Sequence, residues 1–273
     1  MRHRSSFIAI TIILVLFALG RPLRVSAGAL SFTQSSPPSS QAAQALAESR
    51  RAEIASYAAS LKSADEEERR NAALMLGAMN DPATVPALRA ALADAAERVR
   101  AAALAALGNL RDPALVPLIA TYLTKDKRAF VRKTAAYALG QINNSGEATA
   151  ALILGLRDKD MEVRGAAAVA LANTPDATAI APLIHALKDK SPFVRAHAAT
   201  ALGVNGRAAT QAVPDLIKVL TTDEDHEARR QAATALGRIN EPSALPALER
   251  AAHSSDPYLS QSAREAINRM RSQ

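Results

Sequence analysis

His3, His185, His197, His226 and His253 are the chain's readiest groups for proton transfer or metal binding, because an imidazole titrates near neutral pH and can ligate a metal through either ring nitrogen. They are scattered, and only His226 stands next to a glutamate, Glu227. The chain has no cysteine, and so no thiolate nucleophile and no disulfide framework. It also lacks a G-x-S-x-G elbow, a glycine-rich phosphate loop and zinc-ligand spacing. Chemistry at a single site usually shows as a break in a sequence's regularity, and this sequence is regular.

What recurs is an arginine in a fixed phrase. VRAAALAALG at 99–108, VRKTAAYALG at 131–140 and VRAHAATALG at 194–203 are close copies. RRNAALMLG (69–77), VRGAAAVALA (163–172) and RRQAATALG (229–237) are looser ones. Arg69, Arg100, Arg132, Arg164, Arg195 and Arg229 are spaced by 31, 32, 32, 31 and 34 residues, and a worn copy, LSQSAREAIN, places Ser260 one step further on. A period in this range marks a solenoid of stacked supersecondary units. Asp94, Asp126, Asp158, Asp189 and Asp223 stand six residues before five of these arginines. An arginine on an otherwise apolar helix needs acceptors, because an unpaired buried charge is costly. A residue present in every copy serves the stack more readily than one site.

The elements that carry the phrase can be read from one unit, Asp94 to Lys125. Val99, Ala102, Ala103, Ala106 and Leu107 recur at helical spacing and give a first helix, A, an apolar face. Gly108 is expected to end that helix through its access to positive φ. Asp112-Pro113 makes the turn. Val116-Pro117 opens a second helix, B, where proline is tolerated because the first-turn N–H has no partner. Leu118, Ile119, Tyr122 and Leu123 form its apolar side. Pro86, Pro182, Pro214 and Pro246 repeat the B-helix proline. Asp65, Asp160, Ser191, Asp225 and Asp256 are the expected caps of the A helices, with Ala96 and Arg128 as exceptions. Residues 42–61, AAQALAESRRAE followed by the B-like IASYAASL, read as an N-terminal cap without a paired A helix.

Composition agrees with closely packed helices. Hydrophobic residues make up 49% and aromatics 3%, with no tryptophan and alanine dominant; alanine is the best helix former. The net charge is +7, but residues 1–27 hold Arg2, Arg4, Arg21 and Arg24 and no acid. Taking those four from 33 basic residues leaves 29 against 26 acidic, a balance of +3. Nucleic acid is not an expected partner: it would need a concentrated basic face, and the stacking aromatics that single strands use are few.

The front end reads as an address. MRHRSS is basic, FIAITIILVLFALG (7–20) is apolar apart from Thr11, and Val25-Ser26-Ala27 has the small residues of a cleavage site. Residues 1–27 are therefore an expected signal peptide; the alternative is an uncleaved membrane anchor facing outside the cytoplasm. Fourteen residues rise only about 21 Å as a helix, against a hydrocarbon core of roughly 30 Å. Residues 28–40, GALSFTQSSPPSS, are the expected flexible linker, and 41–273 the folded solenoid. Export would place the protein in the periplasm or outside the cell.

The paired helices, the VR…AA…ALG phrase and the VPAL-like start of helix B resemble HEAT-like repeats of the phycobilisome-lyase type over residues 50–270. The resemblance implies an all-α, right-handed α-solenoid of six to seven two-helix repeats. One helix of each pair would lie on the convex side, and the other would line a concave surface. It also implies an Asp–Arg ladder between neighbouring repeats. Two catalytic readings come with it. Deoxyhypusine hydroxylase, a HEAT-like metalloenzyme, binds two irons through several His-Glu pairs; this chain has one, so His226-Glu227 reads as a solvated helix start. Bilin lyases share the repeat type, and against that reading stand the export signal and the few aromatics.

Taking away the scaffold positions leaves one variable row. Two residues after the buried position of each B helix, about 200° around the helix, stand Ala90, Thr121, Leu154, His185, Lys218 and Arg250, with Arg89 and Glu249 beside them. The row passes from neutral through apolar to basic. Arg89, Thr121, Leu154, His185, Lys218 and Arg250 are therefore the candidate partner-binding residues, and the basic end suits an acidic protein or peptide. The sequence reads as an exported, non-catalytic interaction scaffold without cofactor or metal. A bilin-lyase-like or metal-dependent enzyme, or an enzyme chaperone, is the alternative.

Overall fold

The structure, a computed structural model, describes residues 40–142 and 146–272. The chain divides into two compact units, Met1–Leu46 and Ala47–Gln273. Of the first, only residues 40–46 are described, and they are helical. The expected signal segment, 1–27, lies outside the described residues, as does the expected linker apart from Ser40.

Among the described residues there are fourteen α-helices and no strand. They are α1 (Ser40–Ser60), α2 (Glu66–Ala78), α3 (Val85–Ala91), α4 (Glu97–Asn109), α5 (Val116–Lys125), α6 (Ala129–Gln141), α7 (Gly146–Gly155), α8 (Met161–Asn173), α9 (Ile180–Ala186), α10 (Pro192–Val204), α11 (Val213–Thr222), α12 (His226–Ile239), α13 (Leu245–Ala251) and α14 (Pro257–Arg271). From α2 onward they alternate as A helices (even numbers) and B helices (odd numbers). Successive A helices pack on one another, and from α4 onward each A helix also packs on the B helix that precedes it, which is the all-α solenoid that the period requires. The predicted apolar faces are the buried ones: Val99, Ala102, Ala103, Ala106 and Leu107 on α4, and Ile119 and Leu123 on α5. One contiguous core runs from Ala73 to Ile267, with Ile54, Tyr57 and Leu61 closing it at the N-terminal side.

The glycine of the repeated phrase does not end its helix. Gly108 lies inside α4, and the residue with positive φ is Arg111, at 52°. Asn80, Gly206 and Asn240 take the same left-handed conformation three residues after Gly77, Gly203 and Gly237. The glycines instead let neighbouring A helices touch. A Cβ on Gly77, Gly108, Gly140, Gly203 or Gly237 would come within 2.6–2.8 Å of the alanine facing it on the next A helix. No real side chain tolerates such a distance.

Each proline-opened B helix follows a short 3₁₀ turn, such as Pro82–Thr84 or Pro113–Leu115, started by Asp81 or Asp112 accepting a backbone N–H two residues on. The A helices are capped as expected by the side chains of Asp65, Asp160, Asp225 and Asp256. Ser191 is the correction. It occupies the cap position of α10, but its hydroxyl makes no cap bond, and its own N–H donates to Asp189.

Five of the six arginines, all but Arg229, form the ladder, each spanning two loops. Arg132 Nη1 donates to the carbonyl of Asp126, in the loop before its own helix, at 3.0 Å. Its Nε and Nη2 donate to both carboxylate oxygens of Asp158, in the next loop, at 2.6 and 2.8 Å. The same bidentate link joins Arg69 to Asp94, Arg100 to Asp126, Arg164 to Asp189 and Arg195 to Asp223. Planar fork-to-carboxylate geometry fixes orientation as well as charge. Each aspartate also accepts the N–H two residues on, so the same carboxylate that locks the neighbour shapes its own turn. Burial pushes the carboxyls of Asp126, Asp158, Asp189 and Asp223 up, and the arginine and backbone donors more than offset it, leaving all four below the usual carboxylate range.

Candidate functional site

The candidate row falls on six successive B helices at one register. The buried members of that register are Leu88, Ile119, Leu152, Leu183, Leu216 and Leu248, all fully enclosed. Because a helix turns about 100° per residue, burying that position turns the one two residues later outward. Arg89 and Ala90 on α3, Thr121 on α5, Leu154 on α7, His185 on α9, Lys218 on α11 and Arg250 on α13 are all exposed. Leu154 is 56% accessible, so its apolar side chain is presented rather than packed. Thr121 is partly occupied, its hydroxyl donating to Pro117 O at 3.0 Å. Arg89, Lys218 and Arg250 form no ion pair with any described residue.

Depressions lie between adjacent B helices, and three of the six residues line them. Thr121 lines one of about 530 Å³ with Tyr122, Lys125 and Lys127. His185 lines the largest of these three, about 840 Å³, between α7 and α9. Lys218 lines one of about 370 Å³ between α9 and α11, where Asp215 holds Lys188 at 2.9 Å. Arg89, Leu154 and Arg250 do not line these hollows.

The structure brings forward charges that the row omits. The depression holding His185 is lined by Arg157, Lys159, Lys188 and Lys190. The signal was present in the sequence, since these residues flank the ladder aspartates, but it was hidden while each loop counted only as scaffold.

The other histidines divide between packing and local bonding. His197 is half-buried against Phe193, ring edge to face with centroids 4.4 Å apart. Burial pushes its imidazole below the ordinary value, with Glu227 opposing. His226 Nδ1 stands 2.8 Å from Asp256 Oδ2. Glu227 accepts from Gln231 at 2.6 Å and also from Arg230. Among the described residues no three His, Cys, Asp or Glu side chains stand close enough together to hold a metal ion. Also among them, no helix is long and apolar enough to cross a membrane.

Comparison with known proteins gives one family. A model of HEAT repeats matches residues 30–108, 54–140, 90–153, 149–209 and 181–268. No curated protein matches the sequence. Among solved structures, the Escherichia coli protein YibA is similar at 18% identity over 87% of this chain and 99% of that one, with a TM-score of 0.55. An engineered protein is similar at 23% identity over 85% and 71%, with a TM-score of 0.52. The complex of CpcE and CpcF of phycocyanin lyase from Nostoc sp. PCC7120 gives 26% identity over 79% and 92%, with a TM-score of 0.49.

Proposed function

The chain belongs to the HEAT-repeat family, and from that premise we propose that it is an exported, non-catalytic scaffold whose B-helix row forms a concave groove for a protein or peptide. The observation that carries this reading is the register. Six consecutive B helices bury one position completely and expose the position two residues on. A repeat that stacks in this way offers one extended surface whose side chains are free to vary without disturbing the core. The cationic end, Lys218 and Arg250, forms no ion pair among the described residues and suits an acidic partner segment. Export is supported by the basic start, the apolar run 7–20 and the small residues before position 28.

The test is capture of the partner from an envelope fraction, followed by binding with Lys218→Glu/Arg250→Glu. Affinity is expected to fall with helicity unchanged; if affinity survives, the basic end of the row is not the contact. Two stoichiometric equivalents of iron in the purified protein, or visible absorbance acquired from a bilin, would defeat the non-catalytic reading. Sequencing the mature N-terminus checks export, with a start at Gly28 expected.

A further inference from the structure

Three consecutive loops repeat a charge pattern that the fold does not need. Before α6 the chain reads Lys125-Asp126-Lys127, before α8 Arg157-Asp158-Lys159, and before α10 Lys188-Asp189-Lys190. In each, the central aspartate is half-buried and taken up by the arginine of the preceding A helix, while both flanking cations are exposed. The equivalent positions elsewhere are Ala93 and Ala95 around Asp94, and Thr222 and Glu224 around Asp223. Those loops make the same turn and the same ladder bond, so the flanks contribute nothing to stacking. Because the aspartate charge is already neutralised, each of the three loops presents two exposed cations, and the one further acid in these loops is Asp160, which caps α8. Of the six, only Lys188 has an ion-pair partner among the described residues, Asp215. Stacked helices lie about 8–10 Å apart, so the cations recur along one edge at about that interval.

Apolar side chains adjoin the same three loops. Phe130, Met161 and Phe193 are exposed in the first turns of α6, α8 and α10, and Tyr137 is exposed two turns after Phe130 on the same face of α6. Tyr137, Met161 and Phe193 line a depression of about 310 Å³ together with Ser191, next to Lys190, and the Lys133–Glu162 ion pair. In a chain with 3% aromatics, this concentration in three repeats is unlike the rest of the surface.

We propose that these three loops form one cationic ridge that docks an acidic polypeptide segment carrying a bulky apolar residue, the acids lying along the ridge and the apolar side chain entering the hollow beside Phe193. A polypeptide fits better than a lipid surface. Phe193 lies down against His197 and over Gly165, where a Cβ would meet its ring at 2.1 Å, so it walls a hollow and does not project to insert. The proposal rests on the scaffold reading but places the contact on the loop edge of the middle repeats instead of at Lys218 and Arg250.

The probe is a fluorescent twelve-residue peptide of Glu and Asp with one Phe and two Leu, titrated against the full chain by anisotropy. Wild type is expected to bind, more weakly as salt rises, since exposed charges are screened. Lys127→Glu/Lys159→Glu/Lys190→Glu is expected to weaken binding at least tenfold, and Lys218→Glu/Arg250→Glu less than twofold. Replacing Phe and Leu of the peptide by Gly is expected to weaken it severalfold. If charge reversal disturbs the circular dichroism, the triple Gln variant gives the same direction at smaller size. No binding by wild type, or unchanged affinity in the triple variant, overturns the proposal. So does binding to phosphatidylglycerol vesicles, but not the peptide, that the triple variant loses; the ridge would then be a membrane surface. Loss only in Lys218→Glu/Arg250→Glu overturns the ridge and leaves the B-helix groove standing.

Discussion

The loop before α8 and the loop before α14 occupy the same place in their repeats and receive an arginine from the same direction. In the first, Asp158 accepts the Asp160 N–H at 2.9 Å and both forks of Arg132 at 2.6 and 2.8 Å. In the second, Ser254 accepts the Asp256 N–H at 3.2 Å and has no charge to offer. Arg229, which should be locked there, leaves its Nε buried without a partner. Its Nη2 stands 2.9 Å from His226 and 3.7 Å from Asp256. Ser260, where the next arginine would be, donates instead to the Ala252 carbonyl. Shaping the turn and locking the neighbour are thus separate tasks that the interior aspartate happens to combine. The last repeat keeps the first and drops the second, leaving Arg229 to His226 and Asp256.

The comparison is broken most severely by giving the middle loop the residue of the last one. Asp158→Ser keeps a turn acceptor and removes the carboxylate from Arg132, whose side chain is only 6% accessible. Stranding a fully buried charge costs about 3–5 kcal/mol; with some solvent reaching the pair, a loss of about 2–3 kcal/mol is expected. Thermal unfolding followed by circular dichroism measures it. A variant as stable as wild type would show that the ladder contributes orientation and no net stability.

A smaller effect is expected from acid. The Asp158 carboxyl lies below its ordinary range, so its contribution is complete above the unfolded-state value, about 3.9, and is lost as pH falls through the lower folded value. The stability difference between wild type and Asp158→Ser is therefore expected to be constant from neutral pH to about pH 5 and to shrink below about pH 4. A gap that stays open in strong acid would mean that the serine variant is weakened for a reason other than the lost carboxylate.

Much of this was legible in the sequence, because a repeat prints its rules several times. The recurring arginines and aspartates and the prolines opening the B helices are each written in several copies, and they form the expected ladder and helix starts, although each aspartate side chain takes the arginine before it and not the one six residues on. The glycines were misread because the same residue answers two requirements. Positive φ and close helix approach look alike in sequence, and only the 2.7 Å clearance beside Ala138 tells them apart. Ser191 was misread for a related reason, since Asp189 already satisfies the N–H it presents. The cations flanking Asp126, Asp158 and Asp189 were overlooked because pattern reading rewards what recurs in all copies, and these recur in three. Which loops depart from the pattern, and on which edge they lie, becomes visible only when the stack is assembled.

The smallest expected effect runs the other way. Ser254→Asp would write the interior residue into the last loop. Ser254 is half-buried and already makes the bond to the Asp256 N–H, so a carboxylate there has its turn donor in place. Arg229 stands across the loop junction as Arg195 stands to Asp223, with its Nε unpaired. The gain is limited because Arg229 has 23% side-chain accessibility and already lies 3.7 Å from Asp256. A second acid two residues away also repels Asp256, and exposed or half-exposed pairs contribute roughly 0.2–1 kcal/mol. An increase of about 0.5 kcal/mol in unfolding free energy is expected, less in high salt. Loss of stability would mean that the final turn cannot bring its acceptor to Arg229, and that the ladder stops at Asp223 because of backbone geometry and not because of the serine.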